Sequence, residues 1–180
     1  TAIAANSFAV TVESVCYMPG FGVQSASTTL VGQEMGKGDY KKAKSYGNIS
    51  IWLGSLIMTF MAVLLFVTCP YIFKILTPVE EVQTLATLVL RIGCFAEPLY
   101  GVSIVASGAL RGAEDTFIPS ILNLVSIWIV RITLSIILVM PLGLVGVWLA
   151  NTIELCVRGI LLLIRQITTK YYDRKVLLIK

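Results

Sequence analysis

The sequence predicts an all-α polytopic membrane protein, and three observations carry that prediction. Of its 180 residues 57% are hydrophobic and only 13% charged, where a soluble domain carries roughly 25% charged residues, and its mean hydropathy is +0.87. The apolar residues gather in five runs, each near the roughly 20 residues that a bilayer-spanning helix needs. The runs are too long for strands and lack strand alternation.

The expected transmembrane helices are residues 3–31, 49–73, 82–110, 117–140 and 142–164. The first carries Glu13 and the pair Pro19-Gly20, and the second has no charge. The third holds Arg91, Glu97 and Pro98, the fourth Arg131, and the fifth Glu154 and Arg158. The connections fall where turn chemistry places them: "GKGDYKKAKSYGN", "LTPVEEVQT", "RGAEDTFIP" and the tight "MPLGL".

Net charge is +4, and its distribution follows membrane topology rather than a nucleic-acid partner. Lys37, Lys41, Lys42 and Lys44 lie in the first connection, Arg111 opens the third, and Arg165, Lys170, Arg174, Lys175 and Lys180 follow the last helix. The alternate connections hold little beyond Lys74. The positive-inside rule makes the basic side cytoplasmic, with residues 169–180 a cytoplasmic tail of a multi-pass protein of the cell (plasma or inner) membrane. The chain begins at Thr1 with no leader, which suggests the C-terminal part of something longer.

Several chemistries find no support. The chain has no histidine, and Cys16, Cys69, Cys94 and Cys156 show no CxxC spacing, so they read as small buried thiols rather than metal ligands or disulfides. "GQEMGKGD" has the wrong spacing for a phosphate loop, and "GFGVQS" lacks the third glycine of a dinucleotide fingerprint. Neither an enzyme nor a cofactor is expected.

Ionisable residues inside a bilayer cost about 2.5–3.5 kcal/mol each on insertion scales and face a bundle interior or a wet cavity. At about 100° per residue, Asn6 and Gln24 fall within about 20° of Glu13, with Tyr17 and Gly20 near the same line. This stripe reads as a cavity wall for a substrate or cation, or as a polar clamp between helices. Glu97 stands before Pro98, with Tyr100 and Gly101 one turn on. Pro98 leaves the carbonyl of Cys94 without its usual donor, and a carboxylate beside a freed carbonyl suits a proton or a sodium ion. Otherwise Glu97 pairs with Arg91 or Arg131. Arg131 and Arg111 read as structural charges, Arg91 as snorkelling outward, and Glu154 with Arg158 as an i,i+4 ion pair. Pro19, Gly20 and Pro98 are the candidate hinges.

"MPGFGVQSASTTLVGQEMGKGDYKKA" resembles the eighth helix and following loop of MATE (multidrug and toxic compound extrusion) transporters. "ALRGAEDTFIPSILNLVSIWIVRI" resembles that family's tenth-to-eleventh helix junction, with its RGxxDT element at Arg111 to Thr116, and "GVWLANTIE" the start of its last helix. The resemblance implies two six-helix lobes in a twelve-helix transporter, of which this chain holds helices eight to twelve. The partners are then membrane lipid and the missing N-terminal lobe of the same polypeptide. It further implies export of amphipathic or cationic small molecules in exchange for protons or sodium ions. Members with a C-lobe cation site carry an acid where this sequence has Tyr100, so Glu97, one turn earlier, is the candidate replacement and the candidate sodium ligand. Glu13 resembles the acid that many bacterial members carry before the MPG element. On this reading Glu13 and Glu97 line one cavity, and Tyr17 and Tyr100 stack on a flat cation. A lipid-linked oligosaccharide flippase of the same superfamily is the alternative. The cavity candidates, mostly acidic or neutral, favour organic cations over it. A non-transporting membrane subunit is a third reading.

Overall fold

The computed structural model describes residues 1–169 and Tyr172. The expected tail, apart from Thr169 and Tyr172, lies outside the described residues, as do Lys170, Arg174, Lys175 and Lys180. The described residues form helices and no strands: α1 (Ala2–Gly36), α2 (Tyr40–Leu76), α3 (Glu80–Cys94), α4 (Glu97–Gly112), α5 (Phe117–Val125), a π-helical stretch (Ser126–Ile132), α6 (Thr133–Leu142) and α7 (Leu144–Thr168).

Five helical runs thus occupy the five apolar segments, but the connections between them are shorter than expected. Most of "GKGDYKKAKSYGN" is helix: the turn is Lys37–Asp39, with Gly38 at φ 78°. Asp39 starts α2 by accepting the Lys42 amide at 3.2 Å, the usual means of satisfying a first-turn N–H. Asn48, in a sequence that matches a glycosylation sequon, is likewise inside α2. The last turn is Gly143 alone, at φ 55° and ψ −129°, a conformation that favours glycine. Helical hydrogen bonding continues past the apolar core, so charged residues at its margins extend the helices rather than interrupt them.

The expected third segment is two helices bent by 53°. The break falls at Phe95-Ala96, and Pro98 sits in the first turn of α4, where its missing N–H has no helical partner to lose. By contrast α1 runs through Pro19 as one helix. Three helical runs are long and apolar enough to cross a membrane, namely α2, residues 117–142 and α7, and the bent α3–α4 pair makes a fourth. The 35-residue α1 has the length, but its polar stripe keeps it out of that set.

At the centre lies α4, packed on α1, α2 and α7. From Gly101 to Leu110 all its residues but Ser107 are buried, and small residues admit its neighbours. A Cβ on Gly108 would stand 2.7 Å from Gln24 O, and one on Gly112 2.6 Å from Thr28 O. The Thr28 hydroxyl donates to Gly108 O at 2.9 Å across the same seam. Small residues with hydroxyl bridges are how helices approach closely in lipid, where no hydrophobic force draws them together. The outer face of α2 presents Trp52, Leu56, Phe60, Val63, Val67, Tyr71 and Ile75, all exposed and at helical spacing, a surface suited to acyl chains.

The basic residues gather at one end of this bundle. Lys44 Nζ donates to Ile167 O at 3.2 Å, and Arg165 Nη2 lies 2.6 Å from Asp115 Oδ2. The first connection, the α4–α5 turn and the end of α7 therefore meet, as the spacing of Lys and Arg along the sequence requires.

Candidate functional site

On α1, Asn6, Val10, Glu13 and Tyr17 follow one another on one face and form a wall of a cavity of about 320 Å³. The other walls come from Tyr100 on α4, Arg131 in the π-helical stretch, and Trp148, Asn151 and Arg158 on α7. Trp148 Nε1 donates to Asn6 Oδ1 at 3.0 Å. Gly93 makes the approach possible, since a Cβ there would meet Trp148 at 2.9 Å and Glu13 Oε1 at 3.1 Å. Glu13 is half-buried, with its carboxyl resting on the α3 backbone and its cavity side open.

Gln24, expected on the same wall, lines an adjoining cavity of about 340 Å³ nearer the basic end. Its Nε2 donates to Ile104 O at 3.0 Å. Tyr100 and Arg158 border both cavities. Tyr17 and Tyr100 meet edge to face, with centroids 6.0 Å apart, and the Arg158 guanidinium lies 5.6 Å over the Tyr100 ring. A flat cation stacking on Tyr100 would compete with that arginine for one face, a constraint the sequence did not show.

Glu97 does not line either cavity. It is 2% exposed, at the start of α4, with Oε2 lacking a hydrogen-bond partner. The Cys16 thiol lies beside it, three residues past Glu13 on α1. The two carboxylates are therefore neighbours across the α1–α4 seam, one at the cavity and one behind it, rather than two walls of one cavity. Nor does Glu97 form an ion pair with Arg91 or Arg131 among the described residues. Arg91 instead sits 4.9 Å over the Phe66 ring, and Arg131 belongs to the cavity of Glu13.

Glu154 and Arg158 do pair, Nε to Oε1 at 3.2 Å, and Ser126 donates to the same oxygen at 2.8 Å. Arg158 is nevertheless more than a structural charge, because its side chain reaches both cavities. Arg111, also expected to be structural, lines the cavity at the basic end, its Nε donating to Ser107 O at 3.2 Å. With Arg131 this gives three guanidinium groups to one cavity carboxylate, so the expectation of mostly acidic or neutral walls is corrected. Sequence reasoning had stopped at Glu154 and Arg158 because they satisfy each other. The polar positions 151, 154 and 158 at helical spacing were the signal that α7 has a polar face. No cluster of metal-ligating side chains occurs among the described residues.

As for hinges, Gly20 is buried against the Met58 Sδ atom, which a Cβ would approach to 3.1 Å, and Pro19 does not break α1. Only Pro98 coincides with a bend.

The MatE family profile matches residues 1–137. A probable multidrug resistance protein NorM of Thermotoga maritima is 28% identical over 98% of this chain and 38% of its own length. The probable NorM of Rhodopseudomonas palustris is 32% identical over 92% of the chain and 36% of its own length. Among solved structures, the MATE transporter ClbM in complex with Rb+ superposes with a TM-score of 0.88 at 21% identity, over 97% of this chain and 42% of that one. The chain thus spans about 40% of the length of the relatives it matches.

Proposed function

The chain belongs to the MatE family, a family of transporters rather than enzymes, and on that premise we propose that it forms part of a cation-coupled exporter of amphipathic small molecules. One observation carries the proposal: Glu13 is held in a polar cavity, its carboxyl open to that cavity while the neighbouring Glu97 is shut behind it. A carboxylate so placed exchanges a cation with whatever enters. A proton or a substrate cation there biases the access states to the extent that its affinity differs between them.

The surroundings of Glu97 support a proton over a sodium ion. Its close neighbours are the thiols Cys16 and Cys94, whereas a hard cation takes oxygen donors. Pro98 O is already engaged by the Ser55 hydroxyl at 3.2 Å. Glu97 then serves as a proton reservoir behind Glu13. The NorM relatives, probable multidrug resistance proteins, support drugs as cargo. The gathering of basic residues at one end supports a plasma or inner membrane orientation with that end, and the C-terminus, in the cytoplasm. The second reading, a flippase of lipid-linked oligosaccharides, has the three cavity arginines on its side, but the NorM relatives do not favour it.

The test is ethidium export by the full-length protein, with Glu13→Gln and Glu97→Gln, measured across pH. Export is expected to fall at least tenfold in Glu13→Gln and to lose its pH dependence in Glu97→Gln. Wild-type export by both variants at every pH overturns the proposal. A capsule or cell-wall phenotype without drug sensitivity selects the flippase.

A further inference from the structure

The cavity at the basic end differs in chemistry from the one that holds Glu13. Among its walls, Arg111, Arg158, Gln24, Ser103, Ser107 and Thr116 are charged or polar, and no carboxylate lines it. Of the acids nearby, two are already matched and the third lies outside the lining. Asp115 is 1% exposed and held by Arg165 at 2.6 Å, Glu154 is taken by Arg158, and Glu114, on the α4–α5 turn, lies outside the lining. Arg111 makes no ion pair among the described residues, and its Nε alone is committed, to Ser107 O. After Arg158 is offset by Glu154, one uncompensated guanidinium charge remains in the cavity.

The backbone adds to that charge. Thr116 sits at the N-cap of α5 and its side chain does not cap the helix, so first-turn N–H groups lack a side-chain acceptor. The positive end of the helical run 117–142 lies at the cavity through Thr116 and Ser120. Phe21 and Ile104 give the same cavity an apolar side, and about 340 Å³ lies within the range of ligand pockets, roughly 300–1,000 Å³.

We propose that this cavity is an oxyanion subsite, in which Arg111 and Arg158 hold the phosphate-class head of an amphiphile whose tail lies along Phe21 and Ile104. Guanidinium forks suit this task because they pair two parallel N–H groups with two phosphate oxygens. The inference rests on the exporter reading only in treating the lobe cavities as a surface for ligands. Equilibrium binding needs no transport, so failure of the subsite and failure of Glu13-dependent export are separate results.

The test uses the full-length protein in phosphatidylcholine nanodiscs and three probes: dodecyl phosphate, inorganic phosphate and dodecyl maltoside. Dodecyl phosphate is expected to bind more tightly than dodecyl maltoside. Arg111→Gln, a change at an exposed side chain, is expected to weaken it about tenfold, which is about 1.4 kcal/mol. Arg158→Lys keeps the charge opposite Glu154 but loses the fork, and is expected to weaken it several-fold, whereas Lys44→Gln, at the same end but outside the cavity, leaves it unchanged. Competition by inorganic phosphate assigns the subsite to soluble phosphate esters, and its absence to lipid headgroups; either supports the proposal. Dodecyl phosphate binding that matches dodecyl maltoside, or that is unchanged in both arginine variants, overturns it.

Discussion

Glu13 and Glu97 each stand shortly before a proline in an apolar segment, yet one faces a cavity and the other the protein interior. Around Glu13, α1 continues through Pro19 as a single helix with an open polar face. At Glu97 the chain has just turned by 53°, and the helix that restarts there is buried at every position from Gly101 to Leu110 but Ser107. Local sequence makes the two carboxylates look alike. What separates them is the helix that carries each: a helix at the side of the bundle leaves its carboxylate a free face, whereas the central helix does not. The burial of an ionisable group is therefore a property of the packing order, and the difference between the two groups can be attacked directly.

The largest expected effect is one of access. Glu13→Cys in the full-length protein should react with a water-soluble methanethiosulfonate reagent at least about tenfold faster than Glu97→Cys, because only the first side chain borders a cavity and reactivity follows exposure. Equal rates would mean that Glu97 reaches water, and the division into an exchanging and a reserve carboxylate would fail.

A second effect concerns the glycines that accompany the two prolines, since both press on Met58. A Cβ on Gly101 would lie 2.7 and 3.0 Å from Met58 Cγ and Cβ and 3.2 Å from Gly54 O, whereas one on Gly20 would meet the terminal Sδ at 3.1 Å. The flexible end of a methionine moves aside; its stem and a helix carbonyl do not. Gly101→Ala is therefore expected to cost about 1–3 kcal/mol, the usual range for overpacking, and Gly20→Ala clearly less, read as thermal unfolding in detergent. A larger loss at Gly20 would reverse the ranking and give that glycine a role beyond close packing.

The helical runs and the one-sided gathering of basic residues were legible in the sequence because each depends on a pattern within a segment: an apolar run, a Lys or Arg cluster, a proline. The face of Asn6, Glu13 and Tyr17 was legible for the same reason, since helical spacing alone aligns it. The bond from Trp148 to Asn6 was not, because it joins residues 142 positions apart and only the packing of both α1 and α7 against α3 creates it. Gln24 shares the stripe but reaches another cavity, since a stripe 18 residues long passes more than one neighbour. The stretch Ser126–Ile132 contains nothing that marks a π-helix, although it carries Arg131 to the cavity wall. Arg158 was set aside because its partner Glu154 explained it locally, and a residue with one partner can have a second use.

The prolines themselves give a third, smaller effect. In the bent chain the N–H supplied by Pro98→Ala has no helical partner, but in a straight helix it would bond Cys94 O, so α3 and α4 should straighten. The distance between spin labels at Thr84 and Arg111 is expected to lengthen, while Pro19→Ala leaves the distance between labels at Thr11 and Thr29 unchanged. Lengthening in neither variant would assign the bend to packing rather than to the proline.

The smallest expected effect belongs to Asp39, a carboxylate at the basic end that is neither buried nor in a cavity, and so calibrates the other two. It accepts the Lys42 amide at 3.2 Å and lies 2.9 Å from Lys42 Nζ, and this hydrogen bonding holds its carboxyl below the usual carboxylate range. A folded-state pKa that is depressed stabilises the fold above the unfolded-state value and loses that contribution as pH falls through the folded-state value. Asp39→Asn should therefore lower the unfolding temperature slightly at neutral pH and make no difference once both forms are uncharged at strongly acid pH. The difference should also shrink with added salt, because an exposed ion pair is screened. An Asp39→Asn variant as stable as wild type, beside an Asp39→Ala variant that unfolds at lower temperature, would show that the hydrogen bond to the start of α2 matters rather than the charge, because asparagine also accepts at an N-cap.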